Sequence, residues 1–261
     1  MNTDISTEDR EATFSVDSAN VHHIVASVWD GHQDQDYRKD ISHWRGFGRW
    51  KDTEVWKKMG EKNLFEIRLL LHHIEILFFN KIKPPEMSRK YNALEWGPGG
   101  GSNLLAMSAI AKKLYAVDVS KNNLDESGRV LEEIKYDSYR PILLSDSIQS
   151  ALECIDEPLD IVLSTAVFQH FPSGEYGLEV LRGLSAKMKR GGAGIIQIRY
   201  DNGNPNFIPK SIQSYEKNHI TATSYPLDVF WNELLSAGFQ PLFIKDINNS
   251  VNYASFCFYK R

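Results

Sequence analysis

The chain has 261 residues, 42% of them hydrophobic and 25% charged, with a net charge of −4 at pH 7. That length suits one large α/β domain or one domain with a helical attachment, and the balance argues against a fibre or a disordered chain. The acidic charge gives no basic footprint for nucleic acid and no polybasic segment for a membrane surface, while two cysteines alone, Cys154 and Cys257, far apart and without partner spacing, argue against a zinc knuckle or a disulfide scaffold.

Roughly the first dozen residues are polar and acidic and read as a tail. They lack the basic-then-apolar order of a signal peptide, so a cytoplasmic protein is expected. Residues 20 to 53 are aromatic and charged without clean periodicity. From Glu54 to Ile82, apolar residues fall at helical spacing: Trp56, Met59, Phe65, Ile67, Leu70, Leu71, Ile74, Leu77 and Phe78 form a broad stripe for docking on a core. His72, His73 and Glu75 interrupt its most hydrophobic part, which is too short to span a bilayer. Pro84-Pro85 then stops the helix. Residues 1–88 are thus read as a helical N-terminal cap, and 89–261 as the core.

Beyond that point strands and helices alternate. Expected strands run over Asn92–Glu95, Leu114–Asp118, Ile142–Leu144, Asp160–Ser164 and Gly194–Arg199. Expected helices run over Ser102–Lys112, Ser120–Lys135, Ser147–Cys154 and Tyr176–Lys189, the last stopped at Gly191-Gly192. This rhythm implies βαβ units with right-handed crossovers. After a polar loop, Tyr200–Ser224, comes a helix from Leu227 to Ala237. Strands Gln240–Lys245 and Ala254–Tyr259 follow, joined by Asn248-Asn249-Ser250. The expected fold is a doubly wound, mostly parallel, Rossmann-like sheet of seven strands ending in an antiparallel hairpin.

The sharpest local signal is Glu95-Trp96-Gly97-Pro98-Gly99-Gly100-Gly101, placed between a strand and a helix. Glycines there let backbone approach a ligand and take positive φ, and the next helix offers free N–H groups to an anionic group. Asp118 ends the second strand, seventeen residues past Gly101, where a carboxylate can accept from ribose hydroxyls. Asp146, after the third strand, could accept from an adenine amino group, although Ser145-Asp146-Ser147 would equally cap a helix. A dinucleotide dehydrogenase would place its third glycine where this chain has Ser102.

This ordered set resembles class I S-adenosylmethionine methyltransferases. Glu95–Gly101 is similar to the acidic glycine motif of that family, and Tyr115-Ala116-Val117-Asp118 and Leu144-Ser145-Asp146 to the next two motifs. Leu159–Ser164 followed by Phe168-Gln169-His170-Phe171-Pro172 is similar to the fourth motif and its sequel. The resemblance covers about residues 90 to 261 and includes the closing hairpin. It implies S-adenosyl-L-methionine as cofactor. Glu95, Gly97, Pro98, Gly99, Gly100 and Gly101 would cradle its methionine end. Asp118 with Val119 would bind the ribose; Asp146, Ser147 and Ile148 would flank the adenine; Ser164 and the residues just after it would line the floor. The glycine and cap motifs loosely resemble those of bacterial sugar and polysaccharide-pathway enzymes.

An oxygen or nitrogen acceptor needs its proton removed. His170, at the cofactor end of the sheet and with a near-neutral intrinsic pKa, is the candidate base, with local packing the equal alternative. The cap carries Tyr37, His43, Trp44, Arg45, Arg49 and Trp50, and the loop adds Tyr200. Aromatic faces and fixed donors suit a sugar or an aromatic ring, and arginines a carboxylate or phosphate. The same tryptophans would also serve to glue cap to core. The pairs His22-His23 and His72-His73 diverge on any regular element, so no metal is assigned. The expected partner is a small-molecule acceptor, a saccharide or natural product, rather than nucleic acid or membrane. A catalytically silent cofactor-binding protein, and a protein or RNA methyltransferase, are the alternatives.

Overall fold

Seven strands make one sheet in the order β3-β2-β1-β4-β5-β7-β6 in a computed structural model, which describes residues 18–32, 34–79 and 90–261. The expected tail, the Pro84-Pro85 stop and the boundary at residue 88 lie outside the described residues, as does the Phe78 side chain. The strands are β1 (Tyr91–Trp96), β2 (Ala111–Asp118), β3 (Tyr139–Leu143), β4 (Leu159–Ser164), β5 (Met188–Arg199), β6 (Phe239–Asn248) and β7 (Tyr253–Lys260). β1 to β5 are parallel, whereas β7 runs antiparallel to both β5 and β6. β1 and β4 are buried at every position. That is why each reads as a short apolar run rather than an alternation: helices cover both faces.

The helices are α1 (Ser18–Gly31), α2 (Gln35–Ile41), α3 (Thr53–Phe79), α4 (Ser102–Met107), α5 (Lys121–Glu133), α6 (Ile148–Glu153), α7 (Gly174–Lys187), α8 (Tyr215–Asn218) and α9 (Leu227–Ser236). The serine caps behave as their chemistry dictates: Ser120, Ser147 and Ser173 accept from backbone N–H groups three residues on. Hydrophobic residues of α3 enter the same core as the sheet, with Ile67, Leu70, Leu71 and Ile74 packed among Ala93, Leu104, Ile161 and Ile195. Helix α3 is therefore a layer of the sheet domain, while α1 and α2 ride over its carboxyl edge. Phe65 and Leu77, placed in the docking stripe by spacing, are exposed instead.

Three local expectations change. Helix α4 stops at Met107, not Lys112, because β2 begins at Ala111 and pairs with β1. Gly191-Gly192 do not terminate a helix. They lie inside β5, where Gly191 takes φ +81° and the pairing with β4 shifts register between Leu159 and Ile161; glycine here serves an irregular strand. The Tyr200–Ser224 stretch is broken into α8 and short 3-10 turns, and Tyr200 bridges to Tyr225. No helix among the described residues is long and apolar enough to cross a membrane.

Candidate active site

The strand order reverses between β1 and β4, and a doubly wound sheet opens its ligand crevice at the carboxyl ends beside that reversal. A cavity of about 800 Å³, its open mouth included, lies there, within the range of small-molecule sites. Its walls come from the turn after β1 (Glu95, Gly97, Pro98, Gly99), the end of β2 (Asp118, Val119), the step after β4 (Thr165, Ala166, Val167) and the covering cap (Val25, Trp29, His43).

Glu95 is buried at the floor. Its Oε1 accepts from Asn103 Nδ2 at 2.6 Å, while Oε2 has no hydrogen-bond partner among the described residues. Burial pushes this carboxyl up to about 8. Asn103 also reaches Thr165 Oγ1 at 3.2 Å and accepts from Asn63 of α3 at 2.8 Å. Asp118 accepts from the Ser120 N–H at 2.8 Å and from Asn123 Nδ2 at 3.4 Å. Burial outweighs those two bonds and raises its carboxyl to about 7. Two carboxyls held above their ordinary range line one cavity, one of them with a free oxygen, and suit a ligand that brings both a cation and hydroxyls.

The glycine turn is also where the cap is seated. The Gly100 N–H donates to the Ser42 carbonyl at 2.7 Å. A Cβ on Gly99 would stand 2.3 Å from that oxygen, and one on Gly100 would stand 2.3 Å from the His43 carbonyl. Glycine is needed at both positions for backbone-to-backbone approach of the cap.

Helix α1 closes the other side. Its His22 bonds the Asp146 carbonyl at 2.9 Å and the Tyr176 hydroxyl at 2.8 Å. Asp30 accepts from Ser120 Oγ, from the Lys121 N–H and from Asn122 Nδ2, fastening α1 to the start of α5. Trp29 donates to Tyr215 Oη at 3.1 Å, and its ring meets the edges of His170 and His219.

The sequence-expected residues divide accordingly. Glu95, Gly97, Pro98, Gly99, Asp118, Val119, His43 and His170 line the cavity; Gly101, Asp146, Ser147, Ser164, Tyr37, Trp44, Arg45, Arg49, Trp50 and Tyr200 do not. The Asp146 side chain is exposed and Leu144 takes the lining position. Ser147 caps α6, and Ser164 Oγ donates to the Trp96 carbonyl. Trp44 Nε1 donates to Asn123 and Trp50 Nε1 to the Asp40 carbonyl. Arg45 pairs with Glu133 over the Trp56 ring, and Arg49 pairs with Asp40. Tyr37 stacks against His32, and Tyr200 is buried with its hydroxyl on Asn249. Trp44 and Arg45 thus fasten the cap to α5, while Tyr37, Arg49 and Trp50 are held within the cap.

His170 has a neighbour at each ring nitrogen. Its Nδ1–H donates to the His219 carbonyl at 2.8 Å, and Nε2 faces the Gln169 amide at 3.3 Å. Burial, with Arg199 and two histidines adding repulsion, lowers it to about 3. An imidazole so depressed is a weak proton acceptor near neutral pH. Residues the sequence did not mark, Asn103, Asn123 and Val25 among them, also line the cavity; their spacing from Glu95 and Asp118 carries no motif.

Residues 94–196 match the family described as a methyltransferase domain. Magnesium protoporphyrin IX methyltransferase from Synechocystis PCC 6803, with S-adenosylhomocysteine bound, is similar at a TM-score of 0.59 and 12% identity, over 92% of this chain and 100% of that one. The same enzyme with S-adenosylmethionine bound gives 0.59 and 14%, over 92% and 97%. A Bordetella parapertussis protein, named as a possible exported protein, gives 0.51 and 17%, over 76% and 67%. No curated protein matches the sequence.

Proposed function

We propose that this class I S-adenosylmethionine-dependent methyltransferase methylates a hydroxyl or amine of a small polar acceptor, first of all a saccharide or natural-product hydroxyl. The observation that carries the reading is the unpartnered Oε2 of buried Glu95, which lines one covered cavity together with Asp118. S-adenosylmethionine has a charged ammonium at one end and a ribose diol towards the other, so these carboxyls fit it. Once bound, it supplies a methyl group already activated on a sulfonium.

Glu95, held by Asn103, would take the ammonium. Asp118, held by Ser120 and Asn123, would accept from the ribose hydroxyls, while Val119 and Leu144 would flank the adenine. Thr165, Ala166 and Val167 would line the floor beneath the sulfonium, in place of Ser164. Ala166 is held there at φ +58° by a bond from its N–H to Gln197 Oε1, a conformation that costs energy outside glycine and collects at functional sites. Helix α1 and the cap cover part of the cavity, and positioning would be the chain's main contribution to an in-line displacement. His170 would serve by shape, tying Trp29 and the segment after α8 to the end of β4.

Production of S-adenosylhomocysteine, measured against parallel panels of glycosides, proteins and RNA, tests the acceptor. Turnover on glycosides supports it. Turnover on RNA or protein alone would leave the methyltransferase standing and remove the small-molecule reading.

A further inference from the structure

A second cleft, about 820 Å³ with its open mouth included, opens between α3 and the end of the hairpin. Lys62, Gln197, Asp246, Asn248, Asn249 and Tyr253 line it, and among its described lining residues Ile247 alone is apolar. We propose that this cleft is the acceptor subsite and that it takes a neutral polyhydroxylated molecule, a saccharide. The proposal rests on the methyltransferase reading above and adds the place and chemistry of the acceptor.

Among the described residues the two cavities share no lining residue, but hydrogen bonds join their walls. Gln197, in the second, accepts from the N–H of Ala166, in the first, at 2.9 Å. Gln169 donates towards both the Tyr253 hydroxyl at 3.4 Å and His170 Nε2 at 3.3 Å, linking a residue of each. On α3, Met59 lines the first cavity and Lys62 the second, and residues three apart are neighbours on a helix surface. Between them and the floor, Asn63 bonds Asn103, which holds Glu95. An acceptor in the polar cleft would therefore approach across the Thr165–Ala166 step.

The hairpin is bent to make this opening. Its pairing shifts register between Lys245 and Asn248, and Asp246 is held at φ +51°. Bulges of this kind re-aim side chains beside active sites. The lining then selects the ligand. Lys62 is paired with Asp246 at 3.4 Å and with Glu66 at 3.7 Å, so its charge is already answered. What remains is the amide N–H groups of Gln197, Asn248 and Asn249 and the Tyr253 O–H, since the oxygens of these groups already accept from Ala166, Ser250, Tyr200 and Arg199; such donors match the oxygens of a sugar. A flat apolar ring system would leave these groups unpaired, and a polyanion would meet a balanced ion pair.

In the transfer, the acceptor oxygen forms the new C–O bond as the S–CH3 bond breaks. The thioether leaves neutral, and the hydroxyl proton goes to water at the open mouth.

Saturation-transfer NMR tests the site with methyl α-D-glucoside, methyl β-D-galactoside and methyl α-L-rhamnoside, on protein loaded with S-adenosylhomocysteine. Transfer to glycoside protons is expected in the native chain. Ile247→Trp, a wedge on an exposed residue of the cleft, should reduce it about tenfold or more without changing S-adenosylhomocysteine affinity. Phe243→Trp, on the same strand but outside the cleft, should leave it intact and show that β6 tolerates the bulk. No transfer to any of the glycosides, or transfer undiminished by Ile247→Trp, overturns the proposal. Failure of S-adenosylhomocysteine itself to bind the folded chain is a separate result: it removes the methyltransferase reading and this one with it.

Discussion

Glu95 and Asp118 keep their protons to about 8 and about 7 because folding strips water from them faster than neighbours restore it. The Glu95 carboxyl titrates near 4.5 when unperturbed. The folded chain therefore holds an extra proton between that value and about 8. Stability from this group is complete below the window and falls as pH rises through it. Cofactor binding has the opposite sign, since an ammonium wants the carboxylate. Affinity should climb by up to about tenfold per pH unit from about pH 6 to about pH 8 and then level, with proton release visible calorimetrically in buffers of different ionisation enthalpy. A flat profile would mean that Glu95 does not meet the ammonium. Asp118→Ala should weaken S-adenosylhomocysteine binding by about tenfold to a hundredfold; unchanged affinity in a folded variant removes it from the site. His170→Ala should preserve the shape of the pH–rate profile near neutrality, because the imidazole is already neutral there. Loss of a near-neutral limb in that variant would restore it as the base. The glycine motif and both carboxyls could be found from sequence because their types and spacing follow strand ends. The depression of His170 could not, because it comes from burial in the fold, with repulsion from Arg199, distant in the chain, added to it.

Helix α1 is the element whose role the sequence concealed. Its hold on the cavity depends on His22, Trp29 and Asp30, whose partners lie roughly 90 to 190 residues away in sequence. Asp30→Ala should release the α5 contact, speed amide exchange along α1, and weaken cofactor binding by about tenfold. Exchange and affinity both unchanged would make α1 a passive cover. The connection after α2 is more stringent. Gly100→Ala forces a Cβ against the His43 carbonyl and Trp44 Cα and should cost about 1–3 kcal/mol in denaturant unfolding; a neutral result would mean the cap sits less tightly on the turn. Sequence marked 42 to 50 as aromatic and basic, which the structure uses mostly for contacts within the cap and to α5: of its aromatic and basic residues only His43 lines the cavity. A donor pattern fits a ligand and a facing backbone equally well until the partner is placed.

For the whole molecule, strand number, parallel order and the reversed closing strand follow from the alternation of short apolar runs with helices, and the structure keeps all of them. The long loop was less legible, since polar connections carry no period. The account requires one cavity built for a sulfonium cofactor. Calorimetric titration of the purified chain with S-adenosylmethionine and S-adenosylhomocysteine, with NAD as control, tests that most directly. Micromolar binding of both sulfur compounds and none of NAD is expected. Binding of NAD, or no binding of either sulfur compound by a chain shown to be folded, would contradict the account.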